Sequence, residues 1–317
     1  MRNEILITGG AGFIGSYLCE RLVQMNWNVV CLDNFDPFYP REFKLRNIEN
    51  IAKSSFFSLI EGDLQDKNLI KEIFDSHKIV SVVHLAAQAG VRESIMNPEK
   101  YFATNVLGSL NLLNVIKDKN IEKFIYASSS SVYGNNKKIP FSEDDPILAP
   151  ASPYAASKIA AESLCATYSS LYKIPTICLR FFTVYGPRQR PDMAFSKFIK
   201  NAINSGIIEI YGDGSSSRDY TFIDDIIDGI IRSLEFSCDY EIFNLGNSTT
   251  IKLEEVIRII GSTLHKDIVV KRIENQLGDV PVTYADIRKA ETILGYKPQT
   301  NIENGIKKYI DWYRTSF

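Results

Sequence analysis

The segment ILITGGAGFIG, residues 5–15, contains the strongest fold signal in the chain. Its apolar residues and Thr8 predict a short buried strand, which runs directly into glycines spaced G-x-x-G-x-x-G. Gly9 permits a tight turn, Gly12 lets backbone N–H groups approach a diphosphate, and Gly15 lets the next helix pack closely on the strand. The N-terminus of that helix attracts the same anion. The segment therefore predicts the phosphate-binding turn of a dinucleotide-binding fold.

Strand and helix signals alternate through the first half of the chain. The predicted strands are short apolar runs, at residues 4–7, 27–32, 55–60, 80–84, 123–127 and 176–181. Helix-like stretches lie between them, for example at residues 13–24, 65–77, 101–118 and 153–172. This alternation predicts an α/β fold with a doubly wound parallel sheet of the Rossmann type.

The pattern changes after about residue 182, because Gly, Pro, Asp and Ser become frequent and the strand signals become shorter. We predict a smaller C-terminal α+β lobe there, with residues 241–245 returning to the main sheet. The first domain then comprises residues 1–181 plus about 220–246, and the second lobe about 182–219 plus 247–317. Asp224 and Asp225 precede an apolar helix signal, and we interpret them as its N-cap pair.

Composition excludes several classes of protein. The chain has 317 residues, of which 45% are hydrophobic and 23% charged, as in ordinary globular proteins and unlike disordered or collagen-like chains. A net charge of −2 gives no general attraction to nucleic acid or to anionic lipid, so we expect neither as a partner. The 5 cysteines are scattered and predict buried thiols in a reducing compartment. Without an apolar span or a signal peptide, the expected location is cytoplasmic.

Acidic and small residues follow the next predicted strands. Asp33 comes directly after the second strand, where a carboxylate accepts hydrogen bonds from ribose hydroxyls and repels a 2′-phosphate, which favours NAD over NADP. Asp63, after the third strand, is predicted either to contact adenine or to cap a helix. Ala86 and Ala87, after the fourth strand, leave room for a flat cofactor. His84 has no H-x-x-H partner and no cysteine cluster, so we interpret it as structural and predict no metal site.

A second set of residues suits acid–base chemistry. Tyr154 and Lys158 are spaced i, i+4 near the start of a helix opened by Ser152-Pro153, so both lie on one helix face. A phenol titrates at about 10, and a nearby ammonium or a positive nicotinamide ring lowers that pKa. Upstream, residues 128–134 read SSSSVYG at the end of the fifth strand, and one hydroxyl there could bridge substrate and Tyr154.

Together these motifs resemble the extended short-chain dehydrogenase/reductase family, specifically its nucleotide-sugar epimerases and dehydratases. The resemblance covers essentially the whole chain, through TGGAGFIG, LDN, GDL, HLAAQAGVRES, YASSSSVYG, PYAASK, LRFFTVYGPRQRPDM, YGDGSSSRDYTFIDD and a late GDV-x-x-TYAD. Within that family the chain is most similar to the UDP-glucuronate 4-epimerases, which carry AAQAGVR and the RFFTVYGP segment followed by RPDMA.

The resemblance implies a full set of site residues. The catalytic group is Tyr154, Lys158 and Ser129. The residues expected to bind NAD are Gly9, Gly12, Phe13, Ile14, Gly15, Asp33, Asn34, Asp63, Leu64, Leu85, Ala86, Ala87, Asn105, Tyr154 and Lys158. Those expected to bind a UDP-sugar are Ser129, Ser131, Thr183, Arg190, Tyr211, Arg218 and Asp279, with Arg92 as an alternative to Arg190.

Two departures from the family pattern narrow the chemistry. The dehydratases carry an Asp-Glu pair where this chain has Ser130 and Ser131, and the decarboxylases carry a glutamate that is also missing. Without that carboxylate, oxidation and re-reduction at C4 of the sugar remain. Thr183 replaces the asparagine of many relatives, which makes a plain UDP-glucose substrate a weaker expectation. Arg190 is our candidate for a hexuronate carboxylate, although it could equally be a surface or ion-paired arginine.

The expected function is therefore NAD-dependent 4-epimerisation of UDP-glucuronate to UDP-galacturonate through a 4-keto intermediate. The alternatives are a 4-epimerase of UDP-glucose or UDP-N-acetylglucosamine, a UDP-glucuronate decarboxylase, and a non-catalytic NAD-binding scaffold. Family members pair two helices into a four-helix bundle, which predicts a homodimer. The apolar residues expected beyond one core-facing stripe of those helices are Leu107, Leu110, Leu113, Ile116, Ile159, Leu164 and Leu171.

Overall fold

The computed structural model describes residues 4–147, 149–274 and 280–317. Its centre is a seven-stranded sheet in the order β10-β6-β5-β4-β1-β2-β3, and every adjacent pair in it is parallel. The strands are β1 Glu4–Thr8, β2 Asn28–Asp33, β3 Phe57–Glu61, β4 Ile79–His84, β5 Lys123–Ser129, β6 Thr176–Phe181 and β10 Tyr240–Leu245. The predicted doubly wound α/β fold is confirmed, and so is the return of residues 241–245 to the main sheet.

Helices cover both faces of this sheet. They are α1 Phe13–Gln24, α2 Arg41–Ile48, α3 Lys67–Ser76, α4 Val91–Met96, α5 Pro98–Phe102, α6 Ser109–Ile116, α7 Pro153–Tyr172 and α9 Ile223–Glu235. The long helix α7 begins where the sequence predicts, because the Ser152 hydroxyl accepts a hydrogen bond from the Ala155 N–H and Pro153 occupies the first turn. Strand β1 is buried on both faces, because Ile5 and Ile7 pack into the apolar core on one side of the sheet and Leu6 packs into the core on the other side.

The remaining elements form the smaller lobe. Strands β7 Thr183–Tyr185, β9 Ser217–Phe222 and β11 Thr250–Lys252 make a three-stranded sheet, and β8 Ile207–Tyr211 pairs with β12 Val269–Ile273. Its helices are α8 Ala194–Asn204, α10 Leu253–Leu264, α11 Arg288–Leu294 and α12 Ile302–Ser316. Because β7 directly follows β6, this lobe stands at the carboxyl ends of the large sheet.

Two sequence expectations about helices need correction. The helix predicted at residues 101–118 is three pieces, α5, a π-helical turn at Ala103–Gly108, and α6. Asp224 and Asp225 are not an N-cap pair, since α9 begins after Phe222 and both lie inside its first turn. The Asp225 carboxylate instead accepts hydrogen bonds from the N–H groups of Gln299 and Thr300, at 2.8 and 3.1 Å, and so anchors the chain before α12.

The surface of the two helices predicted to pair is only partly apolar. Leu113 and Ile116 are fully buried within the chain, whereas Leu107 and Leu171 are exposed by 55% and 66%. Leu110, Ile159 and Leu164 are half-buried. Four cysteines are buried and Cys238 is half-buried. Among the described residues, no helix is long and apolar enough to cross a membrane.

Candidate active site

A cleft of about 750 Å³ runs along the carboxyl ends of the parallel strands, between the large sheet and the smaller lobe. The turns after β1, β2, β3, β4 and β5 form its floor, and residues of the smaller lobe such as Thr183 and Arg218 form its far wall. This edge of a parallel sheet is where ligands bind in open α/β folds. Most predicted site residues line this one cleft.

The glycine turn after β1 is built for close backbone approach. Gly9 has φ of +69°, and a side chain there would lie 2.8 Å from the Ala86 backbone. A side chain at Gly15 would lie 2.2 Å from the Gly9 carbonyl oxygen, so α1 packs on the turn without space for a methyl group. A side chain at Gly12 would approach only the Gly9 carbonyl oxygen, at 3.1 Å, and Gly12 lines the cleft beside Phe13. These residues fit the diphosphate of a dinucleotide.

Asp33 lies at the end of β2 with most of its hydrogen-bonding capacity used by the protein. Its Oδ2 accepts from the Ala11 N–H at 3.1 Å, and its Oδ1 accepts from the Phe35 N–H at 2.8 Å. Lys44, on α2, places its ammonium 3.1 Å from Oδ1 in a buried ion pair. Sequence reasoning missed Lys44, because its position beside Asp33 depends on how α2 packs over β2.

The predicted adenine-side residues meet each other in the cleft. The Asn34 side-chain amide donates to Asp63 Oδ2 at 2.7 Å, and Leu64 lines the cleft next to them. The helix-capping alternative for Asp63 is wrong, since the N-cap of α3 is Asp66, which accepts from the N–H groups of the next turn. Asp63 Oδ1 accepts from the Gln65 N–H at 2.8 Å, which holds the carboxylate at the cleft wall.

Hydrogen bonds between polar side chains hold the last residue of β4, His84. His84 is buried between Thr8 and Ser109, at 2.7 and 2.9 Å, and burial lowers its pKa to about 3, so the ring is neutral. Leu85, Ala86 and Ala87 then line the cleft. This contact pattern supports the structural interpretation of His84.

Asn105 does not line the cleft. Its side chain is 1% exposed, accepts from the Gln88 N–H at 2.8 Å, and donates to the Gln88 carbonyl at 2.9 Å and to Ser157 Oγ at 2.9 Å. All of these bonds are within the protein. Asn105 therefore joins the chain after β4 to α7, and the cofactor contact that the resemblance implies for it stays a prediction.

The proposed catalytic residues converge at the centre of the cleft. Tyr154, Ser129 and Lys158 all line it. The Lys158 ammonium donates to the Ala127 carbonyl at 2.6 Å. Ser129 Oγ donates to Ser131 Oγ at 3.1 Å and accepts from the Ser131 N–H at 3.1 Å. One helix and one strand end thus bring together the group that the sequence predicted.

Burial dominates the electrostatics of these groups. Desolvation raises the pKa of Tyr154 above its ordinary value, while the hydrogen bond with Ser129 and the charge of Arg190 act in the lowering direction. Burial lowers the pKa of Lys158 to about 8. In the protein alone the net direction for the Tyr154 pKa is therefore upward, opposite to the lowering expected from a nearby ammonium and a positive nicotinamide ring.

Arg190 lines the cleft but already has a carboxylate partner. Its guanidinium makes a two-point contact with Asp192, at 3.1 and 2.9 Å, and donates to the Ala89 carbonyl at 3.1 Å. The ring of Phe38 lies 5.0 Å from its central carbon. The ion-paired alternative considered for Arg190 thus describes its present contacts, and a substrate carboxylate would have to share the guanidinium with Asp192.

The other predicted substrate residues lie on the far wall. Arg92 stacks on the ring of Tyr211 with 3.9 Å between the guanidinium carbon and the ring centre, which brings Tyr211 to the rim although it does not line the cleft. Arg218 lines the cleft and donates to the carbonyls of Ser217 and Pro281, at 3.0 and 3.1 Å. Asp279 lies outside the described residues.

A loop that sequence reasoning did not assign also covers the cleft. Residues 34–40 follow Asp33, and Phe38 and Tyr39 line the opening. Asp36 ties this loop down, since its carboxylate accepts from Gln88 Nε2 at 3.0 Å and pairs with Lys100 at 3.0 Å. The only signal in the sequence was the aromatic and proline content of FDPFYP, which follows Asn34 directly.

Each described carboxylate that lines the cleft has a partner. Asp33 pairs with Lys44, Asp36 with Lys100, and Asp192 with Arg190. Asp63 accepts from Asn34, and Glu93 accepts from Asn97 Nδ2 at 2.5 Å. Within residues 4–147, 149–274 and 280–317, no group of three or more His, Cys, Asp or Glu side chains could hold a metal ion.

Comparison with known proteins agrees with this geometry. Residues 6–309 match the protein family described as GDP-mannose 4,6 dehydratase. The chain belongs to this family. The UDP-glucuronate 4-epimerase of Thermodesulfobacterium geofontis is 40% identical over 308 residues, which are 97% of this chain and 95% of that protein. UDP-glucuronate 4-epimerase 1 of Arabidopsis thaliana is 41% identical, covering 98% of this chain and 76% of that protein.

A solved structure is also close. The UDP-glucuronic acid 4-epimerase of Bacillus cereus, in complex with UDP-glucuronic acid and NAD, superposes with a TM-score of 0.94 at 36% identity. The match covers 99% of this chain and 100% of that chain. The resemblance to the nucleotide-sugar epimerases and dehydratases is therefore confirmed.

Proposed function

We propose that the chain is an NAD-dependent 4-epimerase that interconverts UDP-glucuronate and UDP-galacturonate. The observation that carries the proposal is the cluster of Tyr154, Ser129 and Lys158 in a cleft that opens off the glycine turn. Ser130 and Ser131 line the cleft where the dehydratases carry their Asp-Glu pair, which supports epimerisation over dehydration. The family relatives point the same way.

The glycine turn and the residues after β2, β3 and β4 would hold NAD. Gly9, Gly12 and Gly15 accommodate the diphosphate because side chains there would meet backbone atoms at 2.2–3.1 Å. The cofactor contacts proposed around it are Phe13, Ile14, Asp33, Asn34, Asp63, Leu64, Leu85, Ala86, Ala87, Tyr154 and Lys158. NAD supplies an acceptor that takes the C4 hydride and later returns it. We assign residues 1–181 plus about 220–246 to this function and the rest to UDP-sugar binding.

Tyr154 is the proton acceptor in this proposal. Its hydroxyl takes the proton of the sugar C4 hydroxyl and gives it back when the opposite C4 configuration forms. Ser129 lines the same cleft as Tyr154 and would hold the same sugar oxygen. Lys158 is a buried ammonium fixed by the Ala127 carbonyl, and it favours the phenolate once the cofactor's positive ring is also present.

The far wall would recognise the UDP-sugar. Arg218 suits the diphosphate, and the neighbouring Tyr211, stacked with Arg92, lies where uracil would be held. Thr183 and Ser131 present hydroxyls toward the sugar end of the cleft. Arg190 is the proposed contact of the hexuronate carboxylate, shared with Asp192. A carboxylate held in its charged form by such contacts resists loss of carbon dioxide from the 4-keto sugar.

The chain is proposed to act as a cytoplasmic homodimer. Leu107 and Leu171 are exposed, and Phe102 and Tyr172 add exposed aromatic area at 40% and 43%. These residues lie on the helical stretch around residues 98–116 and on α7, the two helices that would pair in a four-helix bundle. Exposed apolar area of this kind supports an interface between copies.

The test is incubation with separate UDP-sugars followed by NMR of the products. UDP-glucuronate should give UDP-galacturonate at equilibrium, and UDP-glucose and UDP-N-acetylglucosamine should give little product. Tyr154→Phe is the matched control, and it should lose about 10²- to 10⁴-fold in turnover while retaining UDP binding. Turnover of UDP-glucose with none of UDP-glucuronate would refute the hexuronate assignment. A pentose product would indicate decarboxylation, and no turnover of any sugar would favour a scaffold.

A further inference from the structure

A row of buried polar side chains crosses the large sheet at the cleft, which its first member, Ser128, also lines. Ser128 on β5, Arg180 on β6 and Asn244 on β10 occupy the same register on three adjacent strands. Their exposed fractions are 3%, 2% and 0%. Burying a guanidinium inside a sheet costs free energy unless the charge is fully paired, so the partners of Arg180 indicate the role of this row.

Arg180 is paired on two sides. It donates to both carboxylate oxygens of Glu162 on α7, at 3.0 and 2.9 Å, and to the hydroxyl of Tyr133 at 3.0 Å. Glu162 also accepts a hydrogen bond from Ser128 Oγ at 2.5 Å. The Tyr133 hydroxyl in turn donates to the Asn244 side-chain oxygen at 2.6 Å. One ion pair thus contacts both Ser128 and Tyr133.

These two contacts enclose the serine segment, residues 129–132. Ser128 directly precedes the segment and Tyr133 directly follows it. Ser128 is attached through Glu162, and Tyr133 is attached directly to Arg180. Both ends of the segment are therefore fixed to the same buried pair, while the side chains of Ser129 and Ser131 remain at the cleft.

The same pair also fixes the helix that carries Tyr154. Glu162 lies one turn after Lys158 on α7, so the Glu162–Arg180 contact joins this helix to β6 and to the serine segment. A displacement of about 1 Å between reacting groups can cost about 10²-fold in rate. Buried ion pairs add little net stability but can specify a geometry.

We propose that Glu162 and Arg180 are positioning residues, which set the distance between the hydroxyls of Ser129 and Tyr154 by fixing both ends of the serine segment to α7. This inference rests on the proposed function, because it assigns the pair a role in that reaction. Neither residue is proposed to touch the substrate.

The test removes the hydroxyl of Tyr133 or of Ser128 and leaves the charges of Glu162 and Arg180 in place. Loss of Glu162 or Arg180 alone would leave an uncompensated buried charge and destabilise the chain. Tyr133→Phe and Ser128→Ala each cut one attachment and keep the ion pair. Tyr185→Phe is the control for the first, since the Tyr185 hydroxyl is buried with no hydrogen-bond partner in the described part of the chain. Ser233→Ala is the control for the second, since buried Ser233 donates only within α9.

Two measurements are made on each protein. Hydrogen–deuterium exchange of peptides covering residues 127–134 reports the serine segment without any substrate. Tyr133→Phe and Ser128→Ala should each exchange faster there, by on the order of ten-fold, because a lost hydrogen bond changes a local opening equilibrium by about that factor. Steady-state kinetics with UDP-glucuronate should show kcat lowered by on the order of ten-fold and KM unchanged within about two-fold.

Both controls should match the wild-type chain in exchange and in kcat. Unchanged exchange at residues 127–134 in Tyr133→Phe and Ser128→Ala would overturn the inference, as would a raised KM with unchanged kcat. If the wild-type chain does not epimerise UDP-glucuronate, the proposed function fails. The exchange experiment still decides whether the pair fixes the segment, so the two failures are distinguishable.

Discussion

The glycine turn allows a sharp prediction for Gly15→Ala. A Cβ at Gly15 would lie 2.2 Å from the Gly9 carbonyl oxygen, 2.7 Å from Gly10 Cα and 2.9 Å from the Gly9 carbonyl carbon. All three are backbone atoms, so no side chain can rotate away. Ordinary contact begins at 3.4 Å, which means that α1 and the turn must separate by roughly 1 Å.

Three energies decide the net effect of this substitution. Alanine is favoured over glycine in a helix by up to about 1 kcal/mol. Overpacking costs about 1–3 kcal/mol, and moving the Gly9 carbonyl loses the 3.1 Å hydrogen bond from the Gly12 N–H, worth about 1 kcal/mol. The net loss is about 2 kcal/mol, which lowers Tm by roughly 3 °C for a chain of 317 residues.

Scanning calorimetry and titration calorimetry with NAD test this reasoning. Gly15→Ala should unfold at lower temperature and bind NAD more weakly, because the turn has moved. Gly12→Ala is the comparison, since its Cβ would meet one atom at 3.1 Å and faces the cleft. It should keep Tm within about 1 °C and lose NAD affinity only. A Gly15→Ala protein with wild-type Tm and wild-type NAD affinity would refute the packing argument.

Four further predictions follow from the site. NAD should bind in preference to NADP, and equal affinities of the two cofactors in calorimetry would contradict this. Lys44→Met should widen the preference for NAD, because it removes the positive charge beside Asp33. Lys158 has a pKa of about 8 when folded and 10.5 ordinarily, so the unfolded chain binds more protons between those values. The contribution of Lys158 to stability should therefore rise as the pH increases from 8 to 10.5. The free energy of unfolding in urea, measured for wild type minus Lys158→Met, should increase over this pH range, and a constant difference would contradict the prediction. Arg190→Ala should lower kcat/KM for UDP-glucuronate by on the order of ten- to a hundred-fold with UDP binding retained; an unchanged value would make Arg92 the next candidate. Light scattering should show a dimer that Leu171→Asp disrupts and Val269→Asp, at 62% exposure, does not; a wild-type monomer would exclude the interface.

The large sheet was predictable because its strands are parallel and buried on both faces. Such strands read as continuous apolar runs, so residues 123–127 and 176–181 stand out without any alignment. The glycine turn and the capped start of α7 are local signals too, since a few adjacent residues specify their backbone. Most of the cleft follows from them, because parallel strands bring their carboxyl ends to one edge.

Other features depend on distant packing and leave little local trace. The π-helical turn at Ala103–Gly108 interrupts a segment whose composition reads as one regular helix. Asp225 resembles a helix cap in sequence, but its real partners are backbone groups at residues 299–300. Lys44 reaches Asp33 only because α2 lies across the end of β2. The Asp225 contacts join residues about 74 positions apart, and the Lys44 contact joins residues 11 positions apart, so neighbouring residues alone specify neither.

The contacts of Arg190 change how a hexuronate would be recognised. The sequence left Arg190 as either a contact of a hexuronate carboxylate or a surface or ion-paired arginine, and Asp192 accepts from two of its N–H groups. A substrate carboxylate placed near that pair meets a nearly neutral unit, so the attraction must come from direct hydrogen bonds more than from long-range charge. Such bonds require fixed donors, and Ser131, whose Oγ accepts from Ser129 Oγ at 3.1 Å, lines the same cleft as Arg190. Selectivity for a hexuronate and the geometry of the catalytic hydroxyls would then depend on the same short segment, which the buried Glu162–Arg180 pair holds from below.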